Sequence, residues 1–135
     1  MGYTVVTNNV RCRDRYEGEY DVVYNEDWTY LEVLLQVRNL VQDGAKLITH
    51  PMAGSLKPNQ TPFRSVVVGT YSMEDKEPWE DVMLIENSID SCQKFLRGRP
   101  LPNWPEDIKK DCRTLDLSFI EGAMARAPRC PGTTE

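Results

Sequence analysis

The sequence predicts an α/β fold: a single domain with a small mixed, mostly parallel sheet of about four strands and three helices packed on it. Three observations predict it. Short β-branched runs alternate with longer stretches whose apolar residues recur at helical spacing. The 135 residues fit one domain, and a hydrophobic content of 40% is enough for a core without staples. No internal repeat divides the chain, so residues 1–127 read as the domain and 128–135 as a C-terminal tail.

The first strand is Tyr3 to Thr7, ended by the turn-forming pair Asn8-Asn9. Val10 to Gly18 is charged and reads as irregular; it is short for a helical crossover, which leaves the first two strands free to run antiparallel. Glu19 to Tyr24 is the second strand. Thr29 and Glu32 then form a capping box, the hydroxyl accepting from a first-turn amide while the carboxylate reaches back. Tyr30, Val33, Leu34, Val37, Leu40 and Val41 trace one helical face, and Gly44 suits the left-handed position that ends a helix. Ala45 to Thr49 is a third strand, so Glu19 to Thr49 makes a βαβ unit with parallel strands.

Arg64 to Tyr71 is the fourth strand, followed by a polar link from Ser72 to Glu77. Pro78 is tolerated in the first turn of a helix whose stripe is Val82, Ile85, Ile89, Cys92 and Leu96. Gly98 to Pro102 breaks it. A last helix begins near Asn103-Trp104-Pro105, with Ile108, Cys112, Leu115 and Phe119 on one side and Ile120 and Met124 beside them. Pro128 and Pro131 stop it. Trp28, Trp79 and Trp104 stand near helix starts and read as packing anchors.

Composition excludes several classes. No apolar run is long enough to span a bilayer, so no membrane association is expected. A net charge of −5 disfavours nucleic-acid binding, and the arginines of Arg11 to Arg15 are interleaved with acids. The first residues read as a strand rather than a leader, and the four cysteines form no C-x-x-C pair; a reduced, cytoplasmic setting follows. Cys92 and Cys112 fall on apolar helix faces, whereas Cys12 and Cys130 are less constrained. One histidine and scattered thiols give no metal site, and no cofactor motif occurs.

The stretch that invites a functional reading is the connection from His50 to Arg64. Pro51, Pro58 and Pro62 stiffen it, and Met52, Leu56 and Phe63 can anchor it. Gly44 to Met73 contains no Asp or Glu but holds Lys46, His50, Lys57 and Arg64, so the loop is locally positive in an acidic chain. Candidate binding residues are His50, Ser55, Lys57, Asn59, Thr61 and Arg64, with Asn8 and Asn9 at the same sheet edge if the first strand is parallel. If it is antiparallel, Asn25, Glu26 and Asp27 are the neighbours instead. These donors suit a carboxylate, a phosphate or a partner's side chain. Equally, they can serve the loop's own turns. No catalytic residue is assigned: G-x-S-x-G is missing, and His50 with Ser55 lacks an identifiable third group.

The run Leu47-Ile48-Thr49-His50-Pro51-Met52-Ala53-Gly54-Ser55-Leu56-Lys57-Pro58-Asn59-Gln60-Thr61-Pro62-Phe63-Arg64-Ser65, with Thr7-Asn8-Asn9 and Tyr30 to Gly44, resembles the GrdX family. The resemblance covers the first two-thirds of the chain. It implies a small protein encoded beside glycine, sarcosine and betaine reductase components of amino-acid-fermenting anaerobes. It carries over no catalytic step or residue. The expectation is a cytoplasmic accessory protein that binds a reductase component or a small anionic metabolite through His50 to Arg64. A homodimer is compatible with the sequence. The alternatives are a small enzyme acting on an acyl or phosphoryl compound with His50 as general base, and a structural assembly protein without a ligand site.

Overall fold

The computed structural model describes residues 2–52, 57–70, 78–97 and 103–126. The expected break at 98–102, the link at 72–77, the tail at 128–135 and Ser55 lie outside them. Along the chain run β1 (Thr4–Thr7), α1 (Val10–Tyr16), β2 (Asp21–Tyr24), α2 (Tyr30–Gln42), β3 (Lys46–Leu47), β4 (Ser65–Gly69), α3 (Pro78–Arg97) and α4 (Glu106–Arg126). The four strands form one mixed sheet in the order β2-β1-β4-β3. β1 and β2 are parallel, whereas β4 is antiparallel to both its neighbours, β1 and β3.

Three expectations are corrected here. Val10 to Gly18 is not irregular, because α1 forms within it and makes a parallel crossover from β1 to β2. Asn9 caps this helix by accepting from the Arg11 amide, and only Cys12 and Tyr16, one turn apart, are buried. That raises the helices among the described residues to four. Nor is the sheet mostly parallel: β2 and β3 run the same way, as the βαβ reading requires, but β1 and β4 lie between them. Regular pairing in β3 is confined to two residues. Just beyond, the Thr49 hydroxyl accepts the Val67 amide at 3.0 Å, replacing a main-chain carbonyl.

Side-chain alternation along the strands builds a core on each face of the sheet. Val6, Val66 and Val68 meet Val33, Leu34 and Val37 of α2 and Ile85, Ile89 and Cys92 of α3. Val5 and Val67 point the other way, towards Cys12 and Tyr16 of α1 and Leu117 and Ile120 of α4. Each such valine removed from water contributes about 1.5–3 kcal/mol. The capping box at Thr29 and Glu32 is complete. Gly44 takes φ 108°, the conformation that lets α2 turn into β3 without a Cβ clash. Asp81 of α3 accepts the Leu47 amide at 3.0 Å, which ties that helix to the β3 edge.

α4 is rotated from its expected setting. Its buried residues are Cys112, Asp116, Leu117 and Ile120, while Ile108 and Leu115 are 43% and 52% exposed. The helix is seated by a carboxylate in the middle of its inner face. Trp79, expected as an anchor, is 62% exposed.

Candidate functional site

At the C-terminal end of β1 the valines give way to Thr7, Asn8 and Asn9, all buried. The antiparallel register sets Thr7 opposite Ser65, the first residue of β4. Asp116 of α4 closes over this pair. The Ser65 hydroxyl donates to Asp116 Oδ2 at 2.6 Å, and the Asn9 side-chain amide donates to the same oxygen at 3.0 Å. Because the ionised carboxylate only accepts, Ser65 has used its proton, and Thr7 donates in turn to Ser65 across 2.6 Å. Thr7 Oγ1 then accepts the Asn9 amide at 2.9 Å. A directed chain of hydrogen bonds thus links β1, β4 and α4.

Arg64 joins this cluster to the long loop. Its side chain is 5% exposed and Asp116's is 4% exposed, with the guanidinium 3.7 Å from Oδ1. It also donates to the Tyr30 hydroxyl at 3.2 Å and stands over the rings of Tyr30 and Phe119. A charge this deep is tolerated because it is paired and surrounded by electron-rich rings. Burial pushes the Tyr30 hydroxyl pKa up, although nearby Arg64 pulls the other way. Cys12 Sγ lies 3.6 Å from Asp116 Oδ2. Burial, with the Asp116 charge adding to it, pushes this thiol up to about 12, so it stays protonated and unreactive.

Asn8 braces the loop. Its side-chain amide donates to the carbonyls of Trp28 and Pro62, at 2.9 and 2.8 Å, while its oxygen accepts the Arg64 amide at 2.9 Å. Thr61 is buried and accepts the Phe63 amide at 3.1 Å. At the loop's outer turn the Lys57 amide donates to the Gln60 side chain and the Gln60 amide donates back to the Lys57 carbonyl. Cation–ring contacts fasten it to two helices: Lys57 over Phe95 of α3 and Arg113 of α4 over Phe63.

The residues expected to bind therefore divide. Asn8, Asn9, Thr61 and Arg64 come together at one end of the sheet, facing inward, and the side chain of each makes a hydrogen bond within the protein. His50 and Lys57 are exposed, and Asn59 is half-buried. The His50 Nδ1 accepts the Met52 amide at 3.0 Å, which places the proton of the neutral ring on Nε2. Sequence reasoning missed Thr7, Ser65, Tyr30 and Asp116. Asp116 had a signal: it stands one turn from both Cys112 and Ile120, inside an otherwise apolar stripe.

Beside the loop is a half-open cavity of about 140 Å³. Trp28, Thr29, Tyr30 and Leu31 line it from the start of α2, Pro58, Thr61 and Pro62 from the loop, and Leu96 and Trp104 from the flanks of α3 and α4. Its walls are almost entirely apolar. Among the described residues no cluster of His, Cys, Asp and Glu could hold a metal, and no helix is long and apolar enough to cross a membrane.

Fold and site together define a small α/β protein whose β3–β4 connection is braced from within by a buried polar cluster. The family described as GrdX-like protein matches residues 4–125, and the chain belongs to that family. Comparison with curated proteins and with solved structures yields no match.

Proposed function

We propose that this chain is a cytoplasmic accessory protein of a glycine reductase-type amino-acid fermentation system, and that it binds a reductase component through the outer side of the loop from His50 to Arg64. Family membership supports the setting. The observation that carries the binding reading is the division of the loop. Asn8, Thr61 and Arg64 fix its course from beneath, while His50 and Lys57 remain in solvent. Residues 50–52 and 57–64 are held by these bonds before contact and so lose less freedom on binding, which favours affinity.

The geometry favours a protein partner over a small anion. The Arg64 guanidinium is engaged by Asp116 and Tyr30, and the neighbouring cavity offers an anion almost no polar wall. His50 and Lys57 instead present separate polar contacts of the kind found at the rim of an interface. The test is capture of glycine, sarcosine and betaine reductase components on the immobilised chain. Lys57→Ala and His50→Ala are expected to reduce capture, and Lys110→Ala, an exposed lysine on α4, to leave it unchanged. No capture by the wild-type chain, or equal capture by all variants, would overturn the proposal.

A further inference from the structure

The cavity beside the loop has a chemistry of its own, independent of the partner proposed above. Three of its walls are aromatic: Trp28 and Tyr30 at the start of α2, and Trp104 ahead of α4. The surface these residues present to the cavity is almost entirely apolar. The Thr29 hydroxyl accepts the Glu32 amide, the Thr61 hydroxyl accepts the Phe63 amide, and the Tyr30 hydroxyl accepts from Arg64. A group entering the cavity therefore finds little to replace its hydrogen bonds to water. Anions, primary ammonium groups and amides are excluded on that ground. Two kinds of group remain: a hydrocarbon, and a cation that has no N–H to leave unsatisfied.

Ring chemistry favours the cation. An aromatic face attracts a cation through its quadrupole, and rings grouped round a small space are the usual means of holding a quaternary ammonium. Tyr30 already receives the Arg64 guanidinium over its ring at 5.5 Å, whereas among the described residues neither Trp28 nor Trp104 has a cation against it. At about 140 Å³ the cavity is close in size to one that holds a single benzene-sized group. We propose that the cavity walled by Trp28, Tyr30 and Trp104 binds a quaternary ammonium group, retained by ring faces.

Choline and its neutral carbon isostere, 3,3-dimethylbutan-1-ol, separate the two remaining ligand classes, because they share a shape and differ in charge. Each is titrated into the full wild-type chain while the three tryptophan indole N–H signals are followed by NMR. Choline is expected to shift Trp28 and Trp104 saturably and to leave exposed Trp79 in place. The isostere is expected to bind about tenfold more weakly or less. Trp28→Leu should weaken choline binding by roughly tenfold, and Trp79→Leu should not alter it. Equal binding of the isostere, a saturable shift of the same signals by inorganic phosphate, or no response to choline would each overturn the proposal. The ligand comparison uses only the wild-type chain, so it stands even where Trp28→Leu fails to fold. Lys57 is not among the cavity's lining residues, so the capture experiment and this one fail independently.

Discussion

Asp116→Asn is the substitution that tests the buried cluster most sharply, because it keeps the shape and removes the charge. In the native chain Asp116 Oδ2 accepts from Ser65 and Asn9, and Oδ1 faces the Arg64 guanidinium at 3.7 Å. An asparagine has one accepting oxygen and one donating nitrogen. If the oxygen keeps Ser65 and Asn9, the nitrogen faces the guanidinium; if the amide flips, it faces two donors instead. Either way the Arg64–Asp116 ion pair is broken, a change that costs about 3–5 kcal/mol when nothing compensates. The Tyr30 hydroxyl and the rings of Tyr30 and Phe119 remain around the guanidinium and offset part of that. The expected net loss is about 3 kcal/mol, a large share of the ~5–15 kcal/mol that holds a domain together. Urea unfolding followed by tryptophan fluorescence reads it as a fall in midpoint of about 1.5–2 M at an unchanged slope. Asp111→Asn, on the exposed side of the same helix, should stay within about 0.5 kcal/mol of wild type. Combining Arg64→Met with Asp116→Asn should cost at least about 1 kcal/mol less than the sum of the single changes. A loss below about 1 kcal/mol for Asp116→Asn, or strict additivity in the double variant, would refute the reasoning.

Two further outcomes follow from the same structure. The native state keeps the Cys12 proton up to about pH 12, while the unfolded chain releases it near 9. Stability from this group is therefore intact below pH 9 and declines as pH rises from 9 towards 12; Cys12→Ala should flatten that limb of the urea midpoint against pH. Thr29→Ala removes the hydroxyl that accepts the Glu32 amide and should cost about 1 kcal/mol in urea unfolding.

The parts of the fold legible in the sequence are those fixed by local patterns. The capping box and apolar stripe of α2 specify it without reference to the rest of the chain, and the valines of β4 can only be a buried strand. α1 was not legible because five of its seven residues are charged or exposed to varying degree and only Cys12 and Tyr16 face inward. The setting of α4 was hidden for a related reason. Hydrophobic spacing points to Ile108 and Leu115, but the helix is seated by Asp116, whose partners Asn9 and Ser65 lie 107 and 51 residues away. The β1–β4 pairing is equally remote, with Thr7 and Ser65 58 residues apart. At the candidate site the sequence located the loop and its turns but not the direction in which its residues face. An arginine is ordinarily a surface residue, and only the rings and carboxylate gathered from α2 and α4 account for Arg64 pointing inward.

Native-state amide exchange at Arg64 tests most directly whether the loop is held from beneath. That amide is buried and donates to the Asn8 side chain, not to a sheet neighbour, so its protection reports the brace itself. The account predicts exchange as slow as that of the β4 valines, limited by unfolding of the whole domain, and a marked acceleration in Asn8→Ala. Exchange at Arg64 as fast as an exposed loop amide in the wild-type chain, or protection unaffected by Asn8→Ala, would contradict it.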